Sequence, residues 1–535
     1  MKKIKMIILF VALCFLCSCE INIGTSNTTV DDGYKTISIY STNDFHGSIK
    51  AIDDEIGLLK YGTFFKQKGQ EENTLILNAG DMWQGSIESN LNYGEFLTKA
   101  MNEIEFDAFT LGNHEFDWGS EHIISNRNLK DEQTEYQTPF LGANIYDYDM
   151  TNKVALEQAN ELCDKYTIKT LENGLKVGII GVIGDDQITS ISSQFVDMYA
   201  FIDPIDVIKD LSNDLRKNEG CDVIVVNAHA SMSQLLDSST NPSITRVSGV
   251  TNKRYVDAVI CAHSHNYEND IYNGVPFIQA GSNGKAYGEN KLKYQNDNVT
   301  CTFKSNHNNS VSEITSINEY DEGLLKLYNE YTSISDAKGS EILGSLNGNM
   351  YKNNPYAVAN IVTKAMANAA EKQGYDIDFT ITNTSRYGLD GNEVTYSELY
   401  KALPFDNEVY IIYASGSDIL NIGGRNFIFN IKNKTIESDK MYLIGVIDYL
   451  ALHKDSRRNY DYFPSITIVG KLTKAGGLYT YRDITADYIK EIGTINVNDF
   501  NGNNNEYQIS LNVVFDFKNE NVILLINRKE NELLL

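Results

Sequence analysis

The sequence predicts a layered α/β protein with a second α/β domain behind the first. Three observations carry this reading. Strand-like runs alternate with helical stretches over the first part of the chain. Most of those runs are continuously apolar, as strands covered on both faces are. At 535 residues the chain is also too long for a single hydrophobic core.

The start of the chain stands apart from the fold. "MKKIKMIILFVALCFLCSC" has a Lys-rich beginning, an apolar run and small residues before Cys19, the anatomy of a signal peptide. The run is shorter than the roughly 20 apolar residues that a spanning helix needs. Leu16 to Cys19, "LCSC", resembles a bacterial lipobox, which implies cleavage after Ser18 and diacylglycerol on Cys19. Plain secretion or an uncleaved anchor is the alternative. Residues 1–18 are read as a lipoprotein signal peptide and 19–33 as a tether. The mature protein is expected to face outward from the cell membrane.

The layered domain is expected over residues 34–317. Its strands are "KTISIYST" (35–42), "TLILNAG" (74–80), "DAFTLG" (107–112), "PFLGAN" (139–144), "KVGIIGVIG" (176–184), "DVIVVNAH" (222–229) and "VDAVICAH" (256–263). Asp203 to Lys217 reads as a helix between two of them, with Pro204 suited to its first turn. Residues 318–337 read as a connecting helix that opens a linker running, through an Asn- and Gly-rich passage, to 354. A second domain over 355–535 begins with the helical stretch 355–374.

Composition narrows the function. With 42% hydrophobic and 22% charged residues the chain is globular. Lys plus Arg minus Asp plus Glu gives 46 − 72 = −26. That balance excludes a broad surface for a nucleic-acid polymer. It does not exclude a small anionic substrate, because a bound metal can invert the local field. Three of seven cysteines lie in the signal segment, and Cys163, Cys221, Cys261 and Cys301 are scattered without CxxC spacing. Neither a zinc ribbon nor a dense disulfide framework follows; Cys221 and Cys261 read as core thiols. No GxxxxGK[ST] occurs, "GSNGK" (281–285) has the wrong spacing, and no GxSxG is found.

Polar groups collect where the predicted strands end. Asp44 and His46 follow the first, in "NDFHG", and Asp81 follows the second, in "GDMWQGS". Asn113 and His114 follow the third, in "TLGNHEFDWG", where Gly112 releases the chain. His229 closes "VVNAH", and His263 and His265 sit in "ICAHSHN". Pairs at i and i+2 point the same way in an extended backbone, so each could reach one ion. A carboxylate such as Asp81 has two oxygens with which to bridge two ions. Five of eight histidines thus stand at the edge where open α/β sheets bind ligands. Singly, each group reads as a surface turn or a helix cap; five such groups after separate strands read as a site.

In this order the motifs resemble the calcineurin-like metallophosphoesterases. More closely they resemble the two-domain bacterial 5′-nucleotidase family, with its UDP-sugar hydrolases and 2′,3′-cyclic-nucleotide phosphodiesterases. Ala262 stands where that family usually has Gly. The resemblance implies a β-sandwich flanked by helices and two divalent ions, from Zn²⁺, Mn²⁺, Co²⁺ or Fe²⁺. It implies that Asp44, His46, Asp81 and His265 hold one ion, and Asp81, Asn113, His229 and His263 the other. Two divalent ions and two aspartates leave about +2 at the site, enough to attract phosphate. Ions about 3.5–4 Å apart would generate hydroxide for in-line attack on a phosphate ester. His114 is then implied to stabilise the phosphoryl group and the leaving oxygen, with Asp117 orienting it; Asp117 also reads as a helix N-cap.

The second domain resembles the family's C-terminal substrate-binding domain over residues 381–420, above all in "LPFDN" (403–407). The resemblance implies an Arg for the substrate, here Arg386, and two rings around a base. Phe427 or Phe429 is the first ring, Phe429 being the choice, and Tyr449 the second, with Asp455 as its polar partner. "NTSR" is shorter than the family's turn and lacks its glycines, and His453–Lys454 replaces a Gly pair. The expected function is a cell-surface, dinuclear-metal phosphohydrolase acting on nucleotides. Within the family the alternative is a cyclic-nucleotide phosphodiesterase or UDP-sugar hydrolase. Outside enzymes it is a non-catalytic nucleotide-binding surface lipoprotein.

Overall fold

The computed structural model describes residues 33–500 apart from 53, 130–134, 237–242, 308–311, 349–354, 390, 423–426, 431, 433–434, 453, 456–459 and 476. Cys19 and the signal segment lie outside the described residues. No helix among the described residues is long and apolar enough to cross a membrane.

Two six-stranded sheets face each other in the first domain. The first is formed by β1 (Lys35–Thr42), β2 (Thr74–Asn78), β3 (Ala108–Thr110) and β4 (Phe140–Leu141), all parallel. The second is built on β5 (Tyr166–Thr170), β6 (Lys176–Ile183), β7 (Val223–His229), β8 (Ala258–Ile260), β9 (Tyr267–Tyr272) and β10 (Val275–Ala280). Antiparallel β11 (Gly288–Gln295) and β12 (Asn298–Asn306) complete the first, in the order β12-β11-β1-β2-β3-β4. The order of the second is β9-β10-β8-β7-β6-β5, with β6, β7, β8 and β10 parallel.

Alternation along these strands builds three apolar layers. Ile37, Ile39, Leu75 and Leu77 meet Val177, Ile179, Val223 and Val225 between the sheets. The opposite faces go to helices. Ile76 and Phe109 pack with α1 (Leu58–Gly69), α2 (Glu95–Ile104) and, further along, Leu324, Leu327 and Tyr331. Ile180, Val182, Ile224 and Val226 pack with α4 (Pro204–Lys217), which Asp203 caps through Ile205 N–H at 2.8 Å. A short α3 (Ser120–Arg127) follows the "NHEFD" turn. Strands buried on both faces are thereby explained.

α5 (Glu322–Gly339) occupies the expected connecting stretch, its first turn capped by Asp321. The expected linker up to 354 also contains β13 (Ile342–Asn347). This strand pairs with β15 (Glu393–Thr395) and β20 (Thr494–Asn496), so it is part of the second domain's architecture. The main sheet there runs β17 (Phe427–Asn430), β14 (Phe379–Thr382), β18 (Met441–Ile447), β16 (Val409–Ser415), β19 (Thr467–Lys471). Helices α6 (Pro355–Lys372), α7 (Tyr396–Ala402) and α8 (Tyr481–Ile492) complete it. Segments after β14, α7 and β18 meet the first domain, as in Asn90 Nδ2 to Pro404 O and Gln194 Nε2 to Asp448 Oδ2.

Candidate metal centre and the cavity beside it

The first-domain residues singled out above lie at the C-terminal ends of β1, β2, β3, β7 and β8, so both sheets contribute. Their donor atoms converge. His46 Nε2 lies 3.0 Å from His265 Nε2, which lies 3.4 Å from Asp44 Oδ1. Beside them, Asn113 Oδ1 is 3.2 Å from His229 Nε2 and 3.0 Å from His263 Nδ1. Asp81 joins the two groups: its Oδ2 lies 3.9 Å from His46 Nε2 and 3.2 Å from His229 Nε2.

Two details differ from the sequence expectation. Asp81 does not offer one oxygen to each group. Its Oδ1 accepts the His114 amide at 2.9 Å, so the same Oδ2 faces both. Nor do Asp44/His46 and His263/His265 converge through an extended backbone. All four, and Asp81, have left-handed φ between 49° and 73°. The strands have already ended, and the loops after β1 and β2 are joined instead by Asp44 N–H to Gly80 O and His46 N–H to Asp81 O. Left-handed residues other than Gly are uncommon and gather at functional sites.

Surrounding groups fix the rings. His229 Nδ1–H donates to Ala79 O at 2.8 Å and His46 Nδ1–H to Gln84 O at 3.0 Å, leaving each Nε2 as the open nitrogen. His263 N–H donates to both Asp44 oxygens, and Asn43 donates to Asp44 Oδ2 at 2.7 Å. Gly112 is needed for space, since a Cβ there would stand 2.3 Å from Asp81 Oδ1. At Gly80, whose φ is +98°, it would stand 2.7 Å from His229 Nδ1.

Glu115 was not foreseen as a site residue. Fully buried, it accepts amides from Asp81 and Gly112 on Oε2, and from Met82 and Trp83 on Oε1, tying the loop after β2 to that after β3. Burial, reinforced by the Asp81 charge, pushes its carboxyl up to about 7. Its position inside a run of polar residues was the only sequence signal.

The electrostatics fit a cation. Asp44 and Asp81 are buried at 0% and 1% exposure with imidazole nitrogens crowded against them. Burial opposes a charge on His229, yet the Asp81 carboxylate wins and raises its pKa to about 9. Burial instead brings His46 and His263 down to about 3 and about 4, leaving neutral rings. Asp44, His46 and His265 form one group able to hold an ion, and Asp81, His229 and His263 another. Divalent ions held there would bring positive charge to the two buried carboxylates.

His114 stands next to this centre, its Nδ1 2.7 Å from Asp117 Oδ2. Burial disfavours its cation, but Asp117 and Asp81 outweigh that and raise its pKa. Beyond it opens a cavity of about 960 Å³ walled by both domains, among them His114, Asp117, Arg386, Phe405 and Tyr449. The Arg386 guanidinium lies 5.2 Å over the Phe405 ring, itself 5.5 Å from the His114 ring. Phe405 lies within "LPFDN", where in sequence an aromatic residue reads as core. Buried Arg482 holds its loop by donating to Leu403 O and Phe405 O at 2.9 and 3.0 Å and to Asp406. Phe427 and Phe429 stand on β17; their side chains, and that of Asp455, lie outside the described residues.

Comparison with known proteins decides the lineage. Residues 37–267 match the calcineurin-like phosphoesterase family, and 338–422 match the 5′-nucleotidase C-terminal domain. The chain thus joins a calcineurin-like phosphoesterase domain to a 5′-nucleotidase C-terminal domain. It is 26% identical to the 5′-nucleotidase of Vibrio cholerae over 438 residues, covering 73% of this chain and 75% of that one. It is 25% identical over 418 residues to the Endonuclease YhcR of Bacillus subtilis, covering 74% of this chain but only a third, 33%, of that longer protein. Among solved structures, a 5′-nucleotidase precursor from Thermus thermophilus shares the fold, with a TM-score of 0.64 at 17% identity. That match covers 86% of this chain and 97% of the other.

Proposed function

We propose that this chain is a metal-dependent phosphohydrolase of the 5′-nucleotidase type, releasing phosphate from nucleotides. The observation that carries the reading is the shared cavity, in which the donor cluster, the His114–Asp117 pair and the second domain's Arg386, Phe405 and Tyr449 form one wall system. Asp44, His46, Asp81 and His265 would hold one divalent ion, and Asp81, Asn113, His229 and His263 a second. Bound there, the ions supply charge to a phosphoryl group and make water nucleophilic at neutral pH.

The chain's own groups do the rest. Asp117 occupies His114 Nδ1, so Nε2 is the nitrogen that carries a proton toward the leaving ester oxygen. A raised pKa keeps that proton available. Arg386 presents a permanent positive charge to an anionic substrate. Phe405 and Tyr449 offer rings on which a base can stack. Contacts such as Asn90 Nδ2 to Pro404 O at 2.9 Å and Trp118 Nε1 to Asp406 Oδ2 at 3.1 Å seat the second domain over the centre. The Leu16–Cys19 motif supports lipid anchoring at an outward membrane face.

Phosphate release by the purified full chain, screened over nucleoside monophosphates, cyclic nucleotides and UDP-sugars with Mn²⁺, Zn²⁺ and Co²⁺, tests this reading. Monophosphates are expected as the best substrates. A preference for either of the other groups assigns the alternative specialisation, and no turnover with any of them overturns the hydrolase reading.

A further inference from the structure

The second domain carries a groove that shares no lining residue with the cavity at the metal centre. It holds about 380 Å³ and follows α6 from Lys364 through Ala367 and Glu371, then on to Tyr375 just past the helix end. Tyr488 of α8 stands among its lining residues. Tyr375 and Tyr488 are only partly buried where they pack against the second-domain core.

The chain itself arrives at one end of this groove. Phe500, the last described residue, is buried in the same core. Its carbonyl accepts Asn360 Nδ2 at 2.9 Å, and its ring lies 4.6 Å from Lys364 Nζ. Lys364 Nζ also donates to Asp499 O at 3.3 Å. Lys364 is thus shared: it holds the departing chain and begins the groove wall.

Residues 501–535 lie outside the described residues, but their sequence has a clear pattern. Tyr507, Ile509, Leu511, Val513, Phe515 and Phe517 alternate with Gln508, Ser510, Asn512, Val514 and Asp516. Alternation over this length reads as a strand with one apolar face. "KNEN" (518–521) has the composition of a turn, and Val522 to Ile526 is a second apolar run. A pair of strands is at best marginally stable alone in water, so such a face needs a surface to cover.

We infer that residues 507–526 fold back on the groove beside α6 and α8, their apolar face covering Ala367, Tyr375 and Tyr488. The polar "NGNNNE" (501–506) supplies the chain for the turn back. Lys364 to Glu371 covers two turns of α6, about 11 Å, which three to four strand residues span. Attachment at Phe500 favours this segment over a second copy, because it holds the segment beside the groove at high effective concentration. The segment then completes the second domain without entering the reaction.

Hydrogen exchange on the intact full chain, read by mass spectrometry, tests this. Amides of 507–526 are expected to be protected; exchange at the rate of an unstructured peptide overturns the docking. Ala367→Arg puts a long cation into the groove at a helix position that suits Arg. It is expected to speed exchange in 507–526 about 10- to 100-fold, the scale of losing one or two buried apolar side chains. Leu511→Asp should do the same from the other side, and neither variant should change phosphate release. Protection of β18 reports that the second domain has stayed folded. If Ala367→Arg loses it, Tyr488→Ala, which removes one ring of the groove, takes its place. Unchanged exchange of 507–526 in the folded groove variant overturns the assignment. Protection that falls on dilution makes a second copy the occupant and overturns it as well.

Discussion

The metal-facing wall of the cavity and the wall contributed by the second domain use opposite kinds of side chain. The first gathers carboxylates, imidazoles and an amide on loops after parallel strands, locked by backbone hydrogen bonds and left-handed turns. The second offers Arg386, Tyr449 and Phe405, the last on a segment held by buried Arg482. Groups on the first wall are costly to bury and pointless without a cation. Rings on the second resemble any packed aromatic until the cavity beside them is known. The proposed function puts reaction chemistry on the first wall and substrate preference on the second, and substitutions should separate them.

The largest effect belongs to Asp81, whose Oδ2 faces both donor groups. Asp81→Ala is expected to abolish metal retention and phosphate release on every ester, measured by elemental analysis and a phosphate assay. Retention of two ions would show that the groups do not depend on it. His114→Ala is expected to lower kcat by roughly 10²–10⁴ while bound metal stays nearly constant. Metal loss in that variant would make His114 a ligand. On the other wall, Tyr449→Ala should raise KM for a nucleoside monophosphate about 5- to 100-fold and leave p-nitrophenyl phosphate turnover alone. A matching loss on both esters would erase the division between the walls.

The smallest effect concerns stability at the domain contact. Asp448 is buried, accepts Gln194 Nε2 of the first domain at 3.2 Å and has Glu408 as its charged neighbour. Burial raises its pKa from 3.8 to about 7. Its stabilising protonated form is therefore fully present below pH 3.8 and lost as pH rises through about 7. Asp448→Asn should raise Tm by ~2–4 °C at pH 8, on the scale of about 1 kcal/mol, with no gain near pH 4. An equal gain at both pH values would point to packing instead of ionisation.

The same contrast decides what the sequence made legible. Apolar runs over 35–42, 74–80, 176–184 and 222–229 announced both sheets, because strands covered on two faces leave no other pattern. The polar clusters after them announced the donor set, since seven such residues have no packing use in common. How they converge was hidden: an i, i+2 pair suggests a pleat, whereas Asp44 and His46 meet His265 through left-handed turns set by the neighbouring loop. Glu115 was hidden because a buried acceptor of four amides looks in sequence like one more turn residue. Phe405 was hidden for the opposite reason, being apolar like the core behind it. β13 lay in a polar passage whose partners, near 394 and 495, are remote in sequence.

The account depends most on two ions held around Asp81. Purified protein should carry close to two divalent ions per chain by elemental analysis. Chelation should remove them together with phosphate release from a nucleoside monophosphate, and Mn²⁺, Zn²⁺ or Co²⁺ should restore both. Full activity in metal-stripped protein would contradict it.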